Sequence, residues 1–176
     1  MTTTPYLNVD STASDAVLDE PVTIELASPV QPEEALSCDV EDPSPIELKT
    51  RAVSVVQQVL DLVNRERGQG GLSPLRLHSQ LNAAAQAHSN DMAKHNFMSH
   101  TGSDGSSPFD RIRRYGYNYQ RAAENVAAGY SSAQDVMRGW MNSSGHRANI
   151  LNPHYRDIGI GYARSNKPYW TQTFGA

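Results

Sequence analysis

The chain has 176 residues and a formal net charge of −4 at pH 7, and this charge is unevenly divided. Residues 1–50 hold eleven acidic residues and one lysine, a net charge of −10, whereas residues 51–176 carry a net charge of +6. The sequence has no apolar run of about eighteen residues and no basic segment leading into an apolar core, so we expect neither a membrane-spanning helix nor a signal peptide.

Residues 1–50 have the composition of a disordered segment. They contain six of the ten prolines and a single aromatic residue, Tyr6. Such a segment cannot bury enough apolar surface to offset its chain entropy. We predict an acidic tail that acts as a solvated spacer, with a partner-binding arm as the alternative. The only cysteine, Cys38, lies in this tail, so the folded part needs no disulfide.

Two helices are predicted at the start of the remaining chain, over residues 51–67 and 79–96. In the first helix, Thr50 is a candidate N-cap and Gly68 a candidate left-handed stop. Its apolar stripe consists of Val53, Val56, Leu60 and Val63. The second helix presents one broad, alanine-rich face made of Leu81, Ala84, Ala85, His88, Met92 and His95.

Capping signals predict two further helices. Ser107-Pro108-Phe109-Asp110 combines a cap, a proline at the first helical position and an acid three residues later. Ser132-Ala133-Gln134-Asp135 repeats the cap and the acid before a helix that carries Trp140. Residues 117–130, between these helices, are predicted to be a strand or an extended segment.

A β-hairpin is predicted near the end of the chain. Residues 158–163 and 169–174 favour strands, joined by a turn at residues 165–168. Gly159 and Gly161 share one strand face, which permits close packing against a helix. Helices mixed with antiparallel strands predict an α+β layered domain over residues 51–176.

A candidate site is suggested by three chemically suited residues. Glu124 lies among alanines, where a carboxylate is costly unless a cation or a donor pairs with it. His100 follows the second helix, and His146 follows the Ser143-Ser144-Gly145 turn near the start of a short helix. We predict that these three side chains converge. They could hold zinc with an open coordination position or form a network without metal, and the alternative is three unrelated structural residues.

The other histidine and serine patterns are interpreted as structural. His88, Asp91 and His95 share one side of a helix and could form a surface metal cluster, but a polar border of a packed face is favoured. A serine nucleophile at Ser143 or Ser144 is disfavoured, because no nucleophile elbow is present and helix capping explains both residues. His78 and His154 are expected to be exposed.

The segment from Arg111 to Tyr119 mixes arginines with tyrosines. This mixture is found on nucleic-acid-binding surfaces, and an anionic polysaccharide would suit it equally. The net charge of the domain is moderate, so three arginines forming one solvated helix face are favoured and no nucleic acid is expected.

Six segments in order resemble one protein family. They are Leu62–Arg67, Ala87–Ala93, Phe97–Thr101, Ala123–Ala127, Trp140–Leu151 and Trp170–Gly175. The chain resembles the CAP superfamily, or SCP domain, of cysteine-rich secretory, antigen 5 and pathogenesis-related proteins, and most of all its disulfide-free bacterial branch. The resemblance covers about residues 53–175.

The resemblance implies an α-β-α sandwich with a central antiparallel sheet and a large cleft. His100, Glu124 and His146 match three positions of the family's cleft tetrad, and Ser143 stands where many members have a second acid. Members bind divalent metal at the two histidines, some bind lipids, and most are secreted. The resemblance therefore implies a metal site at His100 and His146 and a location outside the cell or in the cell envelope.

Two functions compete for this site. The first is a non-catalytic, monomeric binding module that holds zinc or a similar ion and a small-molecule, lipid, glycan, peptide or cell-envelope ligand. The second is a metal-dependent hydrolase in which Glu124 is the general base. A third possibility is an interaction protein whose acidic tail recruits partners. Binding is favoured over catalysis because the fourth acid is missing.

Overall fold

The structure is a computed structural model that describes residues 45–176, with side chains from residue 55 onwards. Most of the predicted acidic tail, residues 1–44 with Cys38, lies outside the described residues. The described part contains five helices and four strands. They are α1 (Pro45–Gln69), β1 (Arg76–Leu77), α2 (Ser79–His95), α3 (Pro108–Arg114), β2 (Ala122–Ala128), α4 (Ala133–Asn142), α5 (Ser144–Ile150), β3 (Asp157–Arg164) and β4 (Pro168–Gly175). None of the described helices is long and apolar enough to cross a membrane.

Most predicted elements are found close to their predicted bounds, and α1 differs most. It begins six residues earlier than predicted and continues through Gln69. Thr50 and Gly68 are therefore helical residues, and the predictions that they cap and stop α1 were wrong. The left-handed residue lies at Gly71, where φ is 69°.

The four strands form one sheet in the order β1-β3-β4-β2. The pairs β3–β4 and β2–β4 are antiparallel, which confirms the predicted hairpin and places residues 122–128 as a strand. The two-residue strand β1 pairs in parallel with β3 and was not predicted, because two residues carry no readable periodicity.

Helices cover both faces of the sheet and give a three-layer sandwich. On one face α1, α4 and α5 enclose the larger core with inward residues of the sheet. Its buried members include Val59, Val63, Val136, Trp140, Ile150, Ile158, Ile160, Trp170 and Phe174. On the other face α2 and α3 pack through a smaller cluster that includes Leu81, Ala84 and Ile112.

Helix α2 lies directly on β3, as the glycine pattern predicted. A Cβ atom at Gly159 would lie 2.1 Å from the Leu81 backbone, and one at Gly161 would lie 2.3 Å from the Ala85 backbone. Side chains of α2 also bond the strand, since Asn82 Oδ1 accepts a 2.8 Å hydrogen bond from the Ile160 N–H. These contacts fix α2 against the sheet, and α2 in turn positions the loop that carries His100.

Candidate functional site

Glu124 lies in the middle of β2, the strand at one edge of the sheet. Its side chain is only 1% exposed and points to the layer formed by α2 and α3. The next residue, Asn125, points to the opposite layer, because successive side chains of a strand alternate between faces. The candidate site is therefore built around a buried carboxylate.

Arg111 of α3 is the principal partner of this carboxylate. Its Nη2 atom donates to Glu124 Oε2 at 2.8 Å and to Glu124 Oε1 at 3.1 Å. The same guanidinium also donates to the carbonyls of His100 and Ser106, each at 2.8 Å. A buried carboxylate needs such pairing, but the interpretation of Arg111 as part of a solvated face was wrong. The two arginines that follow it, Arg113 and Arg114, are exposed.

His100 contacts the other side of the same carboxylate. Its Nδ1 atom lies 3.0 Å from Glu124 Oε1, and its side chain is 29% exposed. Because a carboxylate accepts hydrogen bonds, we assign the hydrogen to Nδ1, which leaves the lone pair on Nε2. The predicted contact between His100 and Glu124 is therefore present.

His88, on α2, supports the loop that carries His100. It is fully buried, and its Nε2 atom donates to the Ser99 carbonyl at 2.8 Å. The Nε2 atom also lies 3.9 Å from Glu124 Oε1. Burial lowers the pKa of His88, an effect only partly opposed by the charge of Glu124, so the ring is held neutral. His88 thus fixes the residue that precedes His100.

Asp91 and His95, the other members of the considered surface cluster, serve a neighbouring loop. His95 Nδ1 donates to Asp91 Oδ1 at 2.8 Å, and the Ser103 N–H donates to Asp91 Oδ2 at 2.8 Å. His88 is turned instead towards Ser99. The three side chains therefore do not converge: Asp91 and His95 lie at the border of the packed face, as the favoured interpretation has it, whereas His88 is buried within that face.

His146 is the third residue of α5, at the start of the helix as predicted. Its carbonyl accepts a 3.2 Å hydrogen bond from Asn125 Nδ2. Asn149 Nδ2, one turn further along, donates to Asn125 Oδ1 at 2.9 Å, and Asn125 also donates to Gln172 Oε1 at 3.0 Å. This buried amide network ties α5 to the face of β2 opposite Glu124.

Ser143 lies at the boundary between α4 and α5. It occupies the N-cap position of α5, but its side chain makes no capping hydrogen bond. The prediction that the Ser143 side chain caps the helix was therefore wrong, whereas the predicted break between the two helices is present.

The structure thus joins His100, Glu124 and Arg111 in one cluster and places His146 on α5, in the layer on the other side of the same strand. Among residues 55–176, no group of three or more histidine, cysteine, aspartate or glutamate side chains is placed to hold a metal ion. Metal binding by His100 and His146 stays a prediction.

The two remaining histidines differ from each other. His154 is exposed, as predicted. His78 is half-buried, with its ring centroid 4.7 Å from that of Tyr117 in an edge-on contact, so its predicted exposure was wrong.

Comparisons with known proteins agree on one family. Residues 60–174 match the model of the cysteine-rich secretory protein family, CAP. The uncharacterized protein YkwD of Bacillus subtilis (strain 168) is 42% identical over 118 residues, or 67% of this chain and 46% of YkwD. The uncharacterized membrane protein YlbC of the same organism is 36% identical over 118 residues, or 67% of this chain and 33% of YlbC. The chain therefore matches less than half the length of either relative.

A solved structure shows the same fold. An extracellular protein containing a SCP domain from Bacillus anthracis str. Ames superposes with a TM-score of 0.70 and 34% sequence identity. The superposition covers 76% of this chain and 44% of that protein. The two proteins therefore share the three-layer α-β-α fold.

Proposed function

The chain belongs to the cysteine-rich secretory protein (CAP) family, and from that premise we propose that it is a non-catalytic binding module. In this proposal His100 and His146, which lie on opposite sides of the edge strand β2, reach around that edge to hold one divalent metal ion, with zinc as the first candidate. Glu124 orients His100 and does not touch the metal. The bound ligand is a lipid, a glycan or a peptide.

The main support for the proposal is that the Glu124 carboxylate is already hydrogen-bonded to Arg111 and His100. Both carboxylate oxygens accept hydrogen bonds from Arg111, and Oε1 also accepts one from His100. A general base must present a lone pair to the proton that it removes. Because the Glu124 side chain is 1% exposed and both of its oxygens already accept hydrogen bonds from the protein, it is suited to orienting a neighbour and poorly suited to activating water.

The chemistry of His100 fits a metal ligand. Histidines that bind metals usually donate the second ring N–H to a carboxylate, which fixes the tautomer and the ring orientation. The Nδ1 contact with Glu124 supplies that partner, and the partial exposure of the side chain leaves Nε2 accessible. With only two imidazoles from the protein, a bound zinc ion would keep positions for water or a ligand oxygen and would act there as a Lewis acid.

The proposed location is outside the cell or in the cell envelope. One similar solved structure is of an extracellular protein, and one relative is described as a membrane protein. Since this chain matches less than half of each, the location and the ligand belong to the proposal.

Metal titration tests the site. We expect the full-length protein to bind Zn²⁺ in isothermal titration calorimetry and to lose binding in His100→Ala and His146→Ala. Glu124→Gln should weaken affinity by about 10-fold to 100-fold, the usual effect of losing such an orienting partner. His95→Ala is the matched control, because His95 also contacts a carboxylate but lies outside the cluster. Equal binding in wild type and His146→Ala would refute the assignment.

Turnover distinguishes the two candidate functions. Zinc-loaded protein would be assayed against peptide, ester and glycan substrate sets, with His146→Ala as control. Zinc uptake without turnover supports the binding module. Turnover that disappears in His146→Ala would replace it with the hydrolase.

A further inference from the structure

Helix α5, which carries His146, is too short to hold its own position. It contains seven residues, Ser144–Ile150, and its N-cap residue Ser143 makes no side-chain capping bond. Isolated helices shorter than about 12–15 residues are marginal in water, so a helix of this length depends on tertiary contacts. The position of His146 is therefore set by the groups that bind α5 from other elements.

Two buried side chains bind the main chain of α5, one at each end. Arg67 of α1 is 1% exposed, and its Nη1 atom donates to the carbonyl of Ile150, the last residue of the helix, at 2.7 Å. Asn125 of β2 is fully buried, and its Nδ2 atom donates to the His146 carbonyl, in the first turn, at 3.2 Å. The second contact is made to the proposed ligand residue itself.

The Asn125 amide has one orientation that satisfies its neighbours. The two ends of an amide look alike, and its partners decide the assignment. A main-chain carbonyl only accepts hydrogen bonds, so the atom that faces the His146 carbonyl is the nitrogen. Asn125 Nδ2 also donates to Gln172 Oε1 at 3.0 Å, and Asn125 Oδ1 accepts from Asn149 Nδ2 at 2.9 Å. Both ends of the amide are therefore engaged, which fixes this side chain beneath α5.

Consecutive residues of β2 thus hold both proposed metal ligands. Glu124 binds the His100 ring on one face of the sheet. Asn125 binds the His146 main chain on the other face, because successive side chains of a strand alternate. The two Cα atoms are separated by a single peptide unit, about 3.8 Å, and β2 is paired with β4 along its full length. The distance between His100 and His146 is therefore governed by two adjacent side chains on one rigid strand.

We infer that Asn125 is the positioning residue for His146, as Glu124 is for His100; this inference rests on the proposed metal site. Asn125 holds the first turn of α5 and does not touch the metal. A site with two protein ligands depends on the spacing between them, and that spacing is kept by the residues that support them. Removing the Asn125 amide leaves the Arg67 contact in place and releases the first turn, so zinc affinity falls while α5 stays attached to the core.

Zinc titration of two asparagine variants tests the inference on the full-length protein. Asn64→Ala is the matched control for Asn125→Ala. Asn64 Nδ2 also donates to a main-chain carbonyl, that of Leu75 at 3.0 Å, but both of its hydrogen bonds are to Leu75. We expect urea unfolding to show that both variants are less stable than wild type. In isothermal titration calorimetry, Asn125→Ala should bind Zn²⁺ about tenfold more weakly than wild type, and Asn64→Ala should bind it equally well.

A second measurement uses the wild-type protein, so it decides the question even if Asn125→Ala does not fold. The side-chain amide signals of Asn125 and Asn64 would be followed by NMR during zinc titration. Because Asn125 donates to the main chain of the proposed ligand residue, we expect its signals to shift as zinc binds. The signals of Asn64 should stay in place.

The outcomes separate this inference from the proposed function. Weaker zinc binding confined to Asn125→Ala, or a zinc-dependent shift confined to the Asn125 signals, supports the inference. Wild-type affinity in Asn125→Ala overturns it and leaves the proposed metal site standing. An equal loss of affinity in Asn64→Ala, or Asn125 signals that stay unchanged at saturating zinc, would do the same. Absence of zinc binding by wild type refutes the proposed function itself, and the inference with it.

Discussion

Replacing Arg111 with methionine is the sharpest perturbation of the buried cluster. The substitution keeps an apolar stem of similar length and removes the guanidinium. Arg111 donates to Glu124, to the His100 carbonyl and to the Ser106 carbonyl, and it is 5% exposed. The variant leaves the Glu124 carboxylate buried with only His100 as its close partner.

The magnitude follows from the burial of both partners. Removing one member of a buried ion pair typically costs about 3–5 kcal/mol, since the other charge stays desolvated. That is a large share of the roughly 5–15 kcal/mol that stabilises an ordinary domain. With a urea m-value of about 2 kcal/mol/M, we expect the denaturation midpoint to fall by about 2 M.

The double variant Arg111→Met/Glu124→Leu separates this explanation from simple loss of packing. Removing both charges eliminates the buried, unpaired carboxylate, so most of the lost stability should return. Urea unfolding followed by circular dichroism measures both variants. A loss below about 1 kcal/mol in Arg111→Met, or a double variant less stable than the single one, would refute the reasoning.

Two further predictions concern the packing and the pH response. In Gly161→Ala the added Cβ would lie 2.3 Å from the Ala85 backbone, so we expect the free energy of unfolding, measured with urea, to fall by about 3 kcal/mol or more. Gly68→Ala is the control, because no atom lies within 4 Å of its added Cβ, and it should be neutral or slightly stabilising. Burial lowers the pKa of His88, so below about pH 6.5 the unfolded chain binds a proton that the folded protein does not. The free energy of unfolding should therefore fall as the pH is lowered below about 6.5, less steeply in His88→Gln than in wild type and in the surface control His154→Gln. Parallel curves for all three proteins would contradict this assignment.

The elements of the fold were largely predictable because their signals are local. Ser107 and Asp110 form the predicted capping box, and Ser132 caps α4 as expected. The close approach of α2 to β3 also followed from Gly159 and Gly161, since two glycines on one strand face leave room for a helix. The start of α1 was missed although Ser44-Pro45-Ile46-Glu47 has the same cap, proline and acid pattern as Ser107-Pro108-Phe109-Asp110, because that pattern lies in the acidic, proline-rich segment that was interpreted as a tail.

The candidate site was only partly predictable, for a different reason. Because burying a carboxylate among alanines is costly, the sequence correctly predicted that Glu124 has a hydrogen-bonding partner, and His100 is one. The main partner, Arg111, lies on another element, and nothing local distinguishes a buried arginine from Arg113 or Arg114 on the same short helix. The role of Asn125 in holding the His146 carbonyl depends likewise on how β2 and α5 pack, which no local pattern encodes.

The most direct test of the central claim is the position of a zinc ion in crystals of the full-length protein soaked with Zn²⁺. Anomalous diffraction at the zinc edge identifies the metal and its neighbours. We predict one peak bonded to His100 Nε2 and to the His146 side chain, with Glu124 still held by Arg111 and out of the coordination sphere. A peak bonded to a Glu124 oxygen, or one at Asp91 and His95 with His100 left uncoordinated, would contradict the account.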